Sequence, residues 1–151
     1  MERHLRVAGC GLLLLIAPAS RVDAECVGFP LKHYVKYADL VFSGTIDELE
    51  PLDSTRTIVT FEVDRVWKGN VRRQTVLHHA LEGIDSFRLI GASTGSKYLV
   101  FATRLNARQR QQFELSERQD AFGIPTCGGG THKLDADDTM LRRLGRGRKP
   151  R

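Results

Sequence analysis

The stretch from Ala38 to Gly69, ADLVFSGTIDELEPLDSTRTIVTFEVDRVWKG, decides the fold and reads as two strands joined by a polar turn. In its second half apolar and polar residues alternate, with one break on the apolar side at Arg65, which indicates a strand with one buried face. The apolar positions are Val59, Phe61, Val63 and Trp67. In the first half Gly44 stands mid-strand, where glycine often marks a bulge or a tight bend. Two strands are marginally stable alone, so the rest of the chain must supply strands that pair with them.

The rest of the chain contains three further strand patterns. Thr75 to Leu81 is predicted as the third strand and Gln112 to Leu115 as a short fifth strand. Lys97 to Leu105 is predicted as the fourth, and it is apolar on both parities, which is typical of a strand covered on both sides. The segment from Phe122 to Thr131 contains Pro125 and three consecutive glycines, and it is predicted as loop.

Two short helices flank the strands. Apolar residues at helical spacing after Pro30 predict a helix over residues 30–37. A last helix is predicted from Asp135, a suitable N-cap, to Leu144, with Gly145 as a suitable residue just beyond its end. Five short strands with one helix before and one after predict a mainly β domain, an OB-like barrel that is closed or partly open.

Residues 1–24 have the features of a secretory signal peptide. Arg3 and Arg6 precede an apolar run from Val7 to Ala17, and cleavage is expected after Ala24. The run is shorter than the roughly 20 apolar residues that a membrane span needs. The sequence therefore predicts a secreted or periplasmic protein without a membrane span in its mature form. It also predicts one domain over residues 25–145, followed by a tail at 146–151.

Cleavage of the signal would leave two cysteines, Cys26 and Cys127. An even number in an oxidising compartment predicts a disulfide between them. The loop closed by this bond would be 101 positions long, and in the chain-entropy model such a loop contributes up to about 4.7 kcal/mol. The alternative, a metal site that uses both thiolates, needs more ligands than the sequence offers near them.

The chain carries a formal net charge of +5, and much of the positive charge lies at the C-terminus. Apolar residues are absent after Gly145, so the tail is predicted to be disordered. Such a tail is either a solvated chain end or a segment that docks on anionic lipid, nucleic acid or cell-wall polymer. Export argues against binding to the genome. The basic residues are Arg142, Arg143, Arg146, Arg148, Lys149 and Arg151.

No residue pattern predicts catalysis, a metal or a cofactor. His78 and His79 are adjacent on a predicted strand and point to opposite faces, so they are poorly placed to bind one metal. The serines and aspartates lie in no nucleophile elbow or other catalytic setting, so we predict that the protein is not an enzyme. Phe61 and Trp67 are predicted to lie in the core, with a binding platform as the alternative.

Several blocks in this order resemble the bacterial branch of the netrin-like domains, which are similar to the N-terminal domain of tissue inhibitors of metalloproteinases. The blocks are Cys26 with the helix after it, residues 38–44, residues 61–69, residues 95–102 and Cys127. The resemblance implies an OB-type barrel with flanking helices and a disulfide to the N-terminal segment. It also implies a non-catalytic, monomeric module that binds a protein, with exported proteases as one partner class.

Inhibitory relatives begin with a cysteine whose α-amine and carbonyl chelate the zinc of the protease, in a Cys-x-Cys start. Here Glu25 precedes a single cysteine, so the resemblance does not carry inhibition over unless cleavage leaves Cys26 first. The alternative function is binding of an envelope polyanion by the barrel face and the Arg-rich tail. By resemblance, the ridge that contacts a protein partner would be Glu25, Cys26, Val27, Gly28 and Phe29.

Overall fold

The computed structural model describes residues 30–80, 92–125, 130–134 and 138–151. It is mainly β and contains a closed five-stranded mixed barrel with a few short helices, so the predicted fold class is confirmed. In chain order the elements are α1 (Leu31–Tyr37), β1 (Leu40–Pro51), β2 (Arg56–Lys68), β3 (Gln74–Ala80), β4 (Lys97–Arg104), α2 (Ala107–Gln112), β5 (Phe122–Gly123), β6 (Thr131–Lys133) and α3 (Thr139–Leu144).

The barrel closes in the order β1-β2-β3-β5-β4, with β4 pairing back to β1. The β3–β5 pair is parallel, and the other strand pairs are antiparallel. One edge of β4 pairs with β1, and its other edge pairs with β6 over residues 98–100 and with β5 over residues 103–104. The barrel therefore closes through only two residues of β5. None of the helices in the described part of the chain has the length and apolar character that a membrane crossing requires.

Alternate residues of the long strands fill the barrel interior. The rings of Phe42 and Phe61 meet edge to face with their centroids 5.6 Å apart. Ile46, Leu77 and Val100 are fully buried in the same cluster. Burial of this kind contributes about 25 cal/mol for each Å² of apolar surface removed from water, and it is the main force holding the strands together.

A second apolar layer covers the outer face of β1 and β4. Val41, Leu99 and Phe101 point outward and are buried under residues of α1 and α3. This confirms that β4 is covered on both sides. It also confirms the predicted inward face of the last helix, where the packed residues are Met140, Leu141 and Leu144.

The register of β2 against β1 shifts twice near the open end of the hairpin, where β1 begins and β2 ends. Phe42 pairs with Val66 and Gly44 pairs with Val63, so β2 holds one extra residue between these pairs. A further shift follows between Phe42 and Val41. Val66, which is 1% exposed, therefore enters the interior cluster, and Trp67 joins the outer cluster. Trp67 was predicted to share a face of the strand with Phe61. This is wrong, because a bulge turns the side chains that follow it to the other face.

The predicted fifth strand at Gln112 to Leu115 is also wrong. Asn106 and Gln109 form a capping box that starts α2, and Gln112 is its last residue. Phe113 and Leu115 lie in the turn after this helix, where Glu114 has a positive φ of 55°. The fifth strand of the barrel is instead Phe122–Gly123, inside a segment predicted as loop.

The last helix begins later than predicted. Asp138 is its N-cap, and its Oδ1 accepts hydrogen bonds from the backbone N–H groups of Met140 at 2.7 Å and Leu141 at 3.3 Å. The predicted cap, Asp135, lies outside the described residues. Gly145 ends the helix with a φ of 72°, as predicted.

The C-terminal tail differs from its predicted disorder, because residues 146–151 run beside β2. Val66 and Arg148 exchange two backbone hydrogen bonds of 2.9 Å. Arg151 accepts from Arg73 N and donates to Val71 O. The physical reason is that β3 pairs only with residues 56–62 of β2, which leaves an open edge over the rest of that strand. Backbone groups of the tail pair with this edge, and open edges otherwise invite pairing with other chains.

Replacing Gly44 with alanine tests the tight crossing of β1 and β2. A Cβ at this position would lie 2.7 Å from Glu62 O and 3.3 Å from Val63 Cα, both of which are backbone atoms. We expect Gly44→Ala to lower the free energy of unfolding by about 1–3 kcal/mol, as overpacking does. Urea unfolding measures this loss. Glu48→Ala, at an exposed position of the same strand, is the control. Equal stability of Gly44→Ala and the wild type would contradict the predicted clash.

Candidate functional site

The predicted ridge and both cysteines lie outside the described residues. This applies to Glu25, Cys26, Val27, Gly28 and Phe29, and to Cys127.

Described residues that follow Cys26 and Cys127 in the chain come together on β4. The ring of Tyr34 in α1 lies 5.5 Å from the ring of Phe101. Leu31 is buried in the same cluster. From the other side, Phe101 N donates a 2.8 Å hydrogen bond to Gly130 O. The chain segments that lead to Cys26 and to Cys127 therefore start from one place on the outer face of the barrel.

The predicted basic residues fall into two groups. Arg142 and Arg143 lie in the last turn of α3, and both are exposed. The others belong to the tail, which carries Arg148, Lys149 and Arg151 along β2 and the chain that follows it.

Docking of the tail places its cations beside Arg65 and Arg73, two arginines that sequence reasoning missed. A small cleft is lined by Arg73, Lys149 and Arg151. On the other side of the tail, a Cβ at Gly147 would lie 3.2 Å from Arg65 Cβ. We call the surface formed by Arg65, Arg73, Arg148, Lys149 and Arg151 the basic edge. Composition showed the charge of the tail, but no sequence signal shows where the tail docks.

The basic edge has more positive than negative charge. Glu62 and Asp64 are the carboxylate residues that line the cleft. Asp64 forms a 3.3 Å ion pair with Lys97 on β4. Within the described ranges, the side chains of Arg65, Lys149 and Arg151 form no ion pair. They are therefore available to an anionic partner.

A groove of about 610 Å³ lies next to the basic edge, between the outer face of the strands and α3. We call it the Ser43 groove. Ser43 lies between Leu99 of β4 and Arg65 of β2 in the sheet, and it is only 4% exposed. The other residues that line the groove are Asp64, Arg65, Trp67, Lys97, Leu134, Leu141, Gly145 and Lys149.

The orientation of Trp67 in the groove is fixed by the tail. Its indole Nε1 donates a 3.0 Å hydrogen bond to Gly145 O. A Cβ at Gly147 would lie 3.0 Å from Trp67 Cε2, so the tail passes closely over the indole. Trp67 is thus partly buried against the outer cluster, not in the barrel interior, and it is not a free platform. It forms part of the groove lining, beneath the residues that join α3 to the tail.

His78 and His79 are both buried, and as consecutive residues of β3 they lie on opposite faces of the strand. His78 Nδ1 lies 3.3 Å from Phe122 O, and its ring packs against Phe113 with the centroids 4.9 Å apart. Burial lowers the pKa of His78 below its ordinary value, and the nearby charge of Arg110 lowers this pKa further. In the part of the chain that the structure describes, no three His, Cys, Asp or Glu side chains come together as a metal site would require.

The chain matches no protein-family model, and a search of the curated proteins finds no match either. The resemblance to netrin-like domains therefore stays a prediction from the sequence blocks.

The burial of His78 predicts how stability depends on pH. Both the folded and the unfolded states hold this side chain neutral above about pH 6.5, the ordinary pKa of histidine. As the pH falls below that value, the unfolded chain binds a proton that the buried ring resists. The free energy of unfolding should therefore decrease until the pH passes the lowered folded pKa.

Chemical unfolding between pH 7.5 and about pH 5 measures this slope. His78→Gln should flatten it, and His33→Gln, on the partly exposed face of α1, is the control that should keep it. An unchanged slope in His78→Gln would show that His78 does not set the pH dependence.

Proposed function

We propose that this protein is a non-catalytic, exported binding module of the netrin-like type, which holds a protein partner through residues 25–29. The observation that supports this function is the meeting of α1 and Gly130 on Phe101. A disulfide between Cys26 and Cys127 would fix the N-terminal segment at this place as a ridge. In the resemblance that suggests the module, the corresponding ridge contacts the partner.

The distances along the chain are compatible with this bond. Cys26 precedes Pro30 by four residues, and Cys127 precedes Gly130 by three. An extended chain spans at most about 3.6 Å per residue, so each cysteine lies within about 14 Å of its described neighbour. Gly130 O accepts from Phe101 N, and Leu31, which directly follows Pro30, is buried in the same cluster as Phe101. The Cα separation of less than about 7 Å that a disulfide needs is therefore within reach.

The partner would be bound by surface contacts rather than through its metal. With Glu25 leading the mature chain, the α-amine of Cys26 is part of a peptide bond and cannot chelate zinc. We therefore expect the partner to be an exported protein, and exported proteases are the first class to test. A zinc protease that binds the module should keep its activity.

A photo-crosslinking residue placed in the ridge tests this function. At Val27 of the exported protein, we expect one discrete protein adduct from the envelope fraction. The matched position is Val76, an apolar residue of β3 that is 47% exposed, where we expect no such adduct. The double variant Cys26→Ser and Cys127→Ser should lose the Val27 adduct because the ridge is no longer fixed. Equal adducts at Val27 and Val76, or no effect of the double variant, would contradict the proposal.

A second candidate function, binding of an envelope polyanion, is favoured by the docking of the tail. Backbone hydrogen bonds at Arg148 and Arg151 hold the basic edge in place. Cations in a fixed array lose less conformational entropy on binding than cations on a disordered chain. Since such a surface binds by neutralising anions and releasing their counterions, its affinity should fall as salt increases.

Neutralising two cations of the basic edge tests polyanion binding. We expect Lys149→Gln with Arg151→Gln to weaken binding to inorganic polyphosphate and to reduce the slope of log K against log salt by about 1.4, for two lost contacts. Glutamine keeps the backbone in place, whereas deletion of the tail would also open β2. Arg108→Gln with Arg118→Gln is the matched control, because both arginines are exposed and lie on and after α2. Binding that ignores salt, or equal loss in both double variants, would contradict this function.

A further inference from the structure

We propose that the Ser43 groove binds one acidic sugar unit of an anionic polysaccharide. This inference rests on the polyanion-binding function, and it names the ligand class and the place where the ligand is recognised. It draws on three features of the groove: a buried hydroxyl, an excess of cations at the rim, and strands whose edges are already paired.

The buried hydroxyl belongs to Ser43. This side chain is 96% buried, and its remaining surface faces the groove. A serine hydroxyl can donate one hydrogen bond and accept two. Over the described residues, Ser43 Oγ has no hydrogen bond to a protein group, and it is open to the groove rather than shut off from solvent. A hydroxyl that is open to solvent can exchange water for another partner, so a ligand hydroxyl that reaches the groove floor would hydrogen-bond to it directly.

Among the described residues, the rim of the groove carries three cations and one carboxylate. Arg65 and Lys149 form no ion pair within the described ranges, and Lys97 shares its charge with Asp64 at 3.3 Å. A carboxylate or phosphate in the groove would meet this excess of positive charge. Asp64 would remain as an acceptor for a hydroxyl group of the same ligand. The rim therefore suits a ligand that has both an acidic group and hydroxyl groups.

Three apolar side chains form part of the groove walls, and the groove has a size that suits a sugar ring. Trp67, Leu134 and Leu141 line the groove, and its volume of about 610 Å³ lies within the range usual for small-ligand sites. Ligand sites commonly combine such apolar walls with a few placed polar groups. The less polar face of a sugar ring can lie against the walls while its hydroxyl groups reach Ser43 and Asp64.

An extended peptide fits the groove less well, because over the described residues the edges of β1, β2 and β4, the strands that line it, are paired. β1 pairs with β2 on one side and with β4 on the other, and β4 pairs with β1 and β6. The tail pairs with β2 at Val66. Extended peptides gain affinity by adding main-chain hydrogen bonds to an open strand edge. Here recognition must come from side chains, which favours a ligand rich in hydroxyl groups.

Fluorescence of Trp67 provides a direct readout, because the chain contains one tryptophan. Titration with a trimer of galacturonic acid should change this fluorescence with saturation, whereas the neutral galactose trimer should bind far more weakly. Ser43→Ala should weaken binding of the acidic trimer by about five- to tenfold, the effect of one lost hydrogen bond. Its salt dependence should match that of the wild type. The control is Thr131→Val, which removes another buried hydroxyl without a described partner, away from the groove lining.

The outcomes separate the groove from the wider function. Unchanged binding in Ser43→Ala, with polyphosphate still bound at the basic edge, would overturn the groove proposal and leave polyanion binding standing. If the wild-type protein binds neither the acidic trimer nor polyphosphate, both the groove proposal and the polyanion-binding function fail. If a glutamate-rich peptide changes Trp67 fluorescence as the acidic trimer does, the occupant is a peptide and the sugar assignment is wrong. Equal binding of the neutral and acidic trimers would contradict the claim that the rim cations recognise the acidic group of the ligand.

Discussion

The outer surface of this protein depends on the extra residues in β2 opposite β1. They set the direction of the side chains from Arg65 to Lys68, because each unpaired residue moves the rest of a strand to the other face. Val66 therefore seals the barrel interior, while Arg65 and Trp67 turn outward. Without these register shifts the indole would compete for space in the core, and the Ser43 groove would lose its wall.

The same region explains why the tail can dock although it has no apolar side chain to bury. Beyond the β3 pairing, β2 offers backbone groups that need partners, and the tail supplies them at Arg148. Gly147 allows the chain to pass close to Trp67, whose Nε1 donates to Gly145 O. Pro150 lacks an N–H group, so it prevents the tail from becoming a template for a further strand. The tail covers an edge and carries cations to a fixed place at the same time.

The sequence was sufficient for features that repeat over many residues. Alternation in β2, together with the strand patterns of β1, β3 and β4, predicted the barrel, and the apolar residues on both faces of β4 predicted its two covered sides. The sequence did not show the direction of Trp67, because Arg65, the one break in the alternation, does not by itself identify an extra unpaired residue. Nor could it show β5, which has two residues, or the docked tail, which is held by main-chain groups common to all residues. The candidate site was missed for the same reason: Ser43, Arg65 and Lys149 are far apart in sequence and meet only through the bulge and the tail.

Both proposed binding surfaces belong to the outer layer, and this separates function from folding stability. The interior cluster is filled by side chains of the strands and of Val71 and Ile124, and it contributes no residue to the Ser43 groove. On the outer face, α1 and α3 pack on the shared residues Leu99 and Phe101. The proposed ridge would continue from the start of α1, and the groove lies beside α3. The two surfaces are therefore compatible with each other: a module fixed to an acidic polymer through the groove and the basic edge would still present its ridge to a protein partner.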